Sequence, residues 1–324
     1  MQDGLPDFGD IEAAAARIAG EAVVTPLLES AGLNGLTGGR VLVKAECLQR
    51  TGSFKFRGAW NLISQLEGAG GVVAYSSGNH AQGVAAAARL KGLPAIIVMP
   101  ADTPAIKQAN TRALGAEIVT YDRATEAREE IAGKIARDKG WVMVPPYEHA
   151  RIIAGQGTVG LEMARQAAAG GVSLDAVVVG ASGGGLTAGI ALALEHLSPA
   201  TALYCAEPEG FDDHRRSLES GKRETNARAV GSICDALLSP SPGEMTFAIN
   251  QPRLAGGLVA TEAQVVRAMR AAFEHVKIVA EPGGAVALAV VLAGAIATKG
   301  RNIGVVVSGG NVDAALFCRL TAGD

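Results

Sequence analysis

The sequence predicts an α/β protein of two open, mainly parallel sheets with a ligand cleft between them. Three observations carry that prediction. Short β-rich runs alternate twice with longer helical patterns, 48% of the residues are hydrophobic, and 42 glycines stand against only 2 Trp, 4 Tyr and 7 Phe. Glycine in that quantity serves tight backbone approaches of the kind small-molecule sites need. At 324 residues the chain is too long for one small module and fits a large domain or two modest ones.

The first alternating stretch occupies 72–145. Its apolar runs 72–75, 95–99, 117–120 and 141–144 read as strands, and the Ala-rich or amphipathic segments 78–91, 104–114 and 124–139 between them read as helices. Pro145-Pro146 then marks a boundary, because consecutive prolines stop a strand and cannot continue a helix. In the second stretch, strands are expected at 175–179, 202–206 and 303–307, with a helix at 184–196. Helices at 261–276 and 285–297 are expected to cover that sheet. The segment 211–252 is polar and broken by Gly and Pro, and reads as an excursion of loop.

Charge and cysteine usage narrow the partners. A net charge of −3 supplies no electrostatic footprint for nucleic acid or an anionic membrane. The apolar stretch 285–297 is too short to span a bilayer. Cys47, Cys205, Cys234 and Cys318 are scattered without a C-x-x-C pair, which argues against a disulfide framework or a zinc ribbon and for a reducing compartment. No basic segment followed by an apolar one opens the chain, so the cytoplasm is the expected location.

Five stretches could carry chemistry. Gly155-Gln156-Gly157-Thr158-Val159-Gly160 matches a dinucleotide fingerprint, but the charged residues before it form no strand and Asp175 opens a strand where an acid should close one. It reads instead as a glycine-rich helix start packed on its neighbour. Gly180 through Thr187 is better placed, at the end of a strand and the start of a helix. There Ser182, Gly183, Gly184, Gly185 and Leu186 can converge backbone N–H groups on an anion, and without a Gly-Lys-Ser/Thr ending the anion is a cofactor phosphate before it is an NTP; a plain strand–helix turn is the alternative. Lys55 lies between Phe54 and Phe56, and apolar neighbours lower a lysine's pKa and make its amine nucleophilic. Ser76, Ser77, Asn79 and His80 cluster at another helix start, where capping by Ser77 or Asn79 would account for one polar residue but not four. Ser308-Gly309-Gly310-Asn311 follows the last strand, where a serine points into the crevice of an open sheet or simply makes a turn.

In this order, S-F-K-F-R-G-A, S-S-G-N-H-A-Q-G, G-Q-G-T and S-G-G-N resemble the fold-type II pyridoxal-phosphate enzymes, within them the serine/threonine dehydratase and serine racemase family. The resemblance runs from Thr25 to Asn311. It implies a large cofactor domain of 1–65 and 149–324, a small gating domain of 66–148 and a homodimer. It makes Lys55 the residue that carries the cofactor, lays Phe54 against the ring, and puts Asn79 at the ring hydroxyl. Ser182 through Leu186 would surround the phosphate, and Ser308 would meet the ring nitrogen. Ser76, Asn79, His80, Arg128 and Asp235 would face the substrate. The chain departs from the family where it has Ser182 for a usual glycine, and where Cys234-Asp235-Ala236 replaces A-D-G beside the substrate side chain. A neutral serine at the ring nitrogen makes the cofactor a weaker electron sink, which favours prompt β-elimination.

The implied activity is dehydration and deamination of a β-hydroxy amino acid such as L-threonine or L-serine to a 2-oxo acid. The alternative is a serine racemase or threo-3-hydroxyaspartate dehydratase with Ser77 as the acid/base on the second face. A non-catalytic binding protein on the same fold is the reading from another class, and the intact Lys55 argues against it. With sixteen residues after Ser308, no C-terminal effector domain is expected. Finally, Glu207, the carbonyl of Phe211 and Asp213 match the positions that bind Mg²⁺ or Ca²⁺ in metal-activated relatives; an acidic surface loop is the plain alternative.

Overall fold

The computed structural model describes residues 4–103, 105–122 and 125–322. Two sheets form, as the alternation predicts. The larger has six strands: β1 (Leu27–Glu29), β2 (Arg40–Ala45), β7 (Ala176–Gly180), β8 (Ala202–Pro208), β9 (Gly256–Ala260) and β10 (Asn302–Val307), in the order β1-β2-β10-β7-β8-β9. The smaller has β3 (Val72–Tyr75), β4 (Ala95–Pro100), β5 (Glu117–Tyr121) and β6 (Val142–Met143), in the order β5-β4-β3-β6. Every pairing is parallel except that of β1 with β2.

The central strands read as continuous apolar runs because both faces are covered. Val177 and Val179 of β7 point to the helices Ala150–Ala169 and Gly185–Leu197, while Ala176 and Val178 point to the apolar helix Pro282–Leu292. The Gly155–Gly160 run lies in the middle of the helix Ala150–Ala169, not at its start, and its glycines are contact points rather than a phosphate loop. A Cβ on Gly157 would sit 2.9 Å from the Gly189 carbonyl, and one on Gly155 would sit 2.6 Å from Gly58 Cα, so this helix touches two others backbone to backbone.

Four expectations about elements need correction. The segment 211–252 is not simply loop: it folds the helices Asp213–Ser220 and Glu244–Asn250 and the short 3₁₀ turn Asp235–Leu237. The helix expected at 285–297 runs Pro282–Leu292 and stops because Gly294 takes a φ of 73°. The one expected at 261–276 is α-helical only over Glu262–Ala271, capped by a reciprocal Thr261/Gln264 pair, before a π turn at Ala272–Val276. The run 141–144 yields just the two-residue β6. The helices expected from 104 and 124 begin on residues outside the described ones; described helix runs over Ala105–Ala113 and Arg128–Lys139.

Candidate functional site

The carboxyl ends of β3, β7 and β10 open on one cleft of about 300 Å³, where the turns after open parallel sheets place ligands. The predicted cofactor residues Phe54, Lys55, Asn79, Ser182, Gly183, Gly184, Gly185, Leu186 and Ser308 all line it. So do the predicted substrate and acid/base residues Ser76, Ser77, His80, Arg128 and Asp235. Glu207, Phe211 and Asp213 do not.

Lys55 begins the helix Lys55–Ile63. The Phe54 amide donates to the Ser308 carbonyl at 3.1 Å and Ser53 bridges Gly309, which fastens the lysine segment to the turn after β10. Its Nζ lies 5.1 Å from the Phe54 ring centroid and donates to the Pro146 carbonyl at 2.7 Å. Phe56 turns instead into the core, so Phe54 alone flanks the amine. Burial lowers the Lys55 pKa to about 8, which brings the neutral amine within reach of ordinary conditions.

On the opposite wall Gly78, not Ser77 or Asn79, precedes the helix Asn79–Lys91, and no side chain caps it. Capping therefore explains none of the four polar residues here. Ser76 Oγ accepts the Gly78 amide at 3.2 Å. Asn79 donates through Nδ2 to Glu281 at 2.5 Å and accepts from Asn311 Nδ2 at 2.7 Å, which fixes its amide orientation. His80 Nε2 lies 2.9 Å from the Val144 carbonyl. A carbonyl only accepts, so that nitrogen carries the proton. Burial, then the nearby Lys55 charge, push the His80 pKa down to about 3, and the ring is neutral at pH 7. Arg128 opens the helix Arg128–Lys139 and stacks 5.3 Å from the Tyr75 ring centroid. Asp235 accepts from Lys107 Nζ at 2.6 Å, an ion pair at the cleft between residues of two different segments.

The glycine turn after β7 is a cradle. Gly184 has a φ of 91°, and a Cβ on Gly183 would come within 2.2 Å of the Tyr147 ring. Thr187, at the third position of the helix Gly185–Leu197, lines the cleft and is fully buried with its hydroxyl unpartnered.

Three cleft residues, Glu281, Tyr147 and the Lys107 that pairs with Asp235, were not singled out from the sequence. Glu281 is 4% exposed, and burial raises its pKa to about 7 against the opposing hydrogen bond from Asn79. Its position just before Pro282-Gly283-Gly284 at a helix start was the available signal. Tyr147 packs on the glycine turn, and nothing local in the sequence foretold that.

The acidic stretch after β8 is not a surface loop. Glu207 is buried in the strand, and its two oxygens each accept an amide at 2.9 Å, from His214 and Arg215 at the start of the helix Asp213–Ser220. Asp213 Oδ1 accepts from Asn226 at 2.6 Å, while its buried Oδ2 has no partner. Burial and the Asp213 carboxylate hold Glu207 well above the usual carboxylate range, and burial raises Asp213 to about 7. Among the described residues no group of three or more His, Cys, Asp or Glu side chains could hold a metal ion.

A half-buried, partly deprotonatable lysine in one cleft with a glycine cradle for an anion is the arrangement pyridoxal phosphate requires, and residues 18–309 match the Pyridoxal-phosphate dependent enzyme family. The chain belongs to that family. It is 42% identical to an L-threo-3-hydroxyaspartate ammonia-lyase of Pseudomonas sp over 98% of this chain and 99% of that one. It is 39% identical to a serine racemase of Arabidopsis thaliana over 89% and 88% of the two chains. The crystal structure of T.th. threonine deaminase superposes with a TM-score of 0.90 at 44% identity, over 95% of this chain and 99% of that one. As in this pyridoxal-phosphate enzyme family, the sheets are open and mainly parallel. Among the described residues no helix is long and apolar enough to cross a membrane.

Proposed function

We propose that this pyridoxal-phosphate enzyme is an ammonia-lyase acting on a β-hydroxy amino acid and releasing a 2-oxo acid and ammonia. The observation that carries the proposal is the Lys55 amine, its pKa lowered by burial to about 8, in the same cleft as the glycine cradle. The residues present fit the cofactor: the unpartnered Thr187 hydroxyl and the turn Ser182–Leu186 suit its phosphate, and Ser308 suits its ring nitrogen. When bound, pyridoxal phosphate supplies an electron sink for the substrate's α-carbon.

The chain's own groups do the rest. With the cofactor and substrate bound, Lys55 would hold and move the α-proton on the face it occupies. The amides at the start of the helix Asn79–Lys91, with Ser76, hold the substrate carboxylate. His80 assists as a neutral hydrogen-bonding group, which avoids placing a second cation beside Lys55. Asn79, fixed by Glu281 and Asn311, orients the ring hydroxyl. Arg128 and Lys107 are cations at the cleft, and they suit an acidic side chain such as that of 3-hydroxyaspartate, the substrate named for the Pseudomonas relative. We read 66–148 as a gate that closes over this cleft, 1–65 with 149–324 as the fixed part, and the assembly as a cytoplasmic homodimer.

A racemase reading keeps one observation in its favour: Ser77 lines the cleft and caps no helix, so its hydroxyl is available on the second face. Mg²⁺ or Ca²⁺ would be held by Glu207, the Phe211 carbonyl and Asp213, and the unpartnered Asp213 Oδ2 supports that reading. One experiment separates the enzymatic readings. Purified protein is scanned for visible absorbance, treated with borohydride and mapped for a modified Lys55, then given L-serine, L-threonine and L-threo-3-hydroxyaspartate with chiral analysis of the products. A 2-oxo acid with ammonia supports the lyase, D-serine alone overturns it, and a colourless protein with no trapped lysine overturns both. Chelation that leaves activity and melting temperature unchanged would dismiss the metal.

A further inference from the structure

A loop that grips a phosphate through its N–H groups must turn its carbonyls the other way, and each of those needs a partner behind the loop. The Gly183 carbonyl accepts from Thr246 Oγ at 2.6 Å and from the Gly243 amide at 3.2 Å. The Gly184 carbonyl accepts from Asn250 Nδ2 at 3.3 Å. Thr246 and Asn250 are fully buried one turn apart on the helix Glu244–Asn250. His214, from the helix Asp213–Ser220, supplies the third rear contact. Its ring is fully buried against the space where a Gly184 Cβ would be, 2.7 Å from that position to Cε1, and beside the Ser182 backbone. Neither ring nitrogen has a hydrogen-bond partner of good geometry, and the Asn250 Oδ1 next to it is also unpartnered.

A fully buried imidazole that reaches the Ser182 backbone only with poor hydrogen-bond geometry is costly unless some state of the protein completes that bond. We propose that His214 is a positioning residue for the phosphate loop, donating a ring N–H to the Ser182 carbonyl when a phosphate occupies the cradle and so completing a rear anchor of His214, Thr246 and Asn250. Each rear anchor commits one loop carbonyl away from the cleft and leaves the next N–H aimed into it. The three anchors lie behind the loop and outside the cleft lining, and through them the excursion 211–252 sets cofactor affinity. The inference rests on the pyridoxal-phosphate reading of the cleft, and the test keeps the two apart.

Apoprotein of wild type, His214→Phe and His214→Gln is titrated with pyridoxal phosphate by absorbance, and the bound phosphate is read by ³¹P NMR. His214→Phe keeps an aromatic ring, slightly larger, and loses the N–H, so its Kd should rise about tenfold, with a shifted phosphate resonance. His214→Gln restores a donor and should recover most of both. Equal Kd values for wild type and a folded His214→Phe would overturn the proposal, as would failure of Gln to recover what Phe loses. Wild-type protein that binds no pyridoxal phosphate would instead overturn the reading beneath it. Should His214→Phe not fold, ¹⁵N-histidine spectra of wild type, assigned with His214→Gln, decide: a His214 ring signal unmoved by pyridoxal phosphate overturns the proposal, and one that gains a protected proton supports it.

Discussion

Lys55 and Arg57 stand two residues apart at the start of one helix, Arg57 fully buried and Lys55 half-buried at the cleft, and the structure treats them in opposite ways. Arg57 reaches Glu46 through Nε and Nη2 at 2.8 Å each and Glu162 through Nη1 at 2.6 Å, while Lys44 meets Glu162 at 2.6 Å. Two cations face two carboxylates, so this core region is neutral and every charge has a partner. Lys55 has only a carbonyl, and burial drives it toward the free amine. His80 and Glu281, on the far side of the same cleft, are likewise pushed toward their uncharged forms. Paired charges tie elements together, whereas unpaired ones are left adjustable near neutral pH, where proton transfer needs them.

Breaking the paired region should have the largest effect on stability. Arg57→Met leaves Glu46 and Glu162 facing each other without their shared cation, and should cost about 3–5 kcal/mol in urea-unfolding free energy. Adding Glu46→Gln should return part of that loss; a double variant as unstable as the sum of the singles would show that pairing is not what matters. Lys55→Met tests the other side. With no ion pair to lose, its apoprotein should unfold within ~1 kcal/mol of wild type, while turnover falls by at least ~10²-fold. A large loss of stability would mean the two cations are alike after all.

The neutral groups sharpen the contrast through pH. His80 is lowered from 6.5 to about 3, so the folded protein refuses a proton that the unfolded chain accepts. Its stabilisation is whole above pH 6.5 and is lost as pH falls toward 3. Glu281 is raised from 4.5 to about 7, so its contribution is whole below pH 4.5 and is lost as pH rises through 7. Each effect is on the order of 1–4 kcal/mol. His80→Gln should flatten the acid limb of the stability–pH curve, and Glu281→Gln should flatten the fall toward neutrality; unchanged slopes would count against burial as the cause. The smallest effect belongs to Lys107→Ala. Its pairing with Asp235 is partly exposed, so stability should move by no more than ~1 kcal/mol, and the change should appear in KM for an acidic substrate before kcat.

Periodicity in the sequence located the four strands of the smaller sheet and β7, β8 and β10 of the larger; the clearest runs belong to β3, β4, β7 and β10, which are buried along nearly their whole length, whereas β5 and β6 at the sheet edges are only partly buried. Local composition likewise located Lys55, the turn Ser182–Leu186, Ser76 to His80 and Ser308, each marked by residue types unusual beside a strand end. What it left undecided depends on contacts across long separations. The helix Glu244–Asn250 is only seven residues long, and it exists where Thr246 and Asn250 can bond the glycine loop about sixty residues back in the chain. Glu281 became a cleft residue only when it met Asn79, 202 positions away. The glycines of 155–160 read from their context as packing positions rather than a phosphate loop, but only the fold showed that they lie mid-helix and that Gly58 and Gly189 fill the space, since a missing Cβ has the same sequence signature whether a ligand or another backbone occupies it.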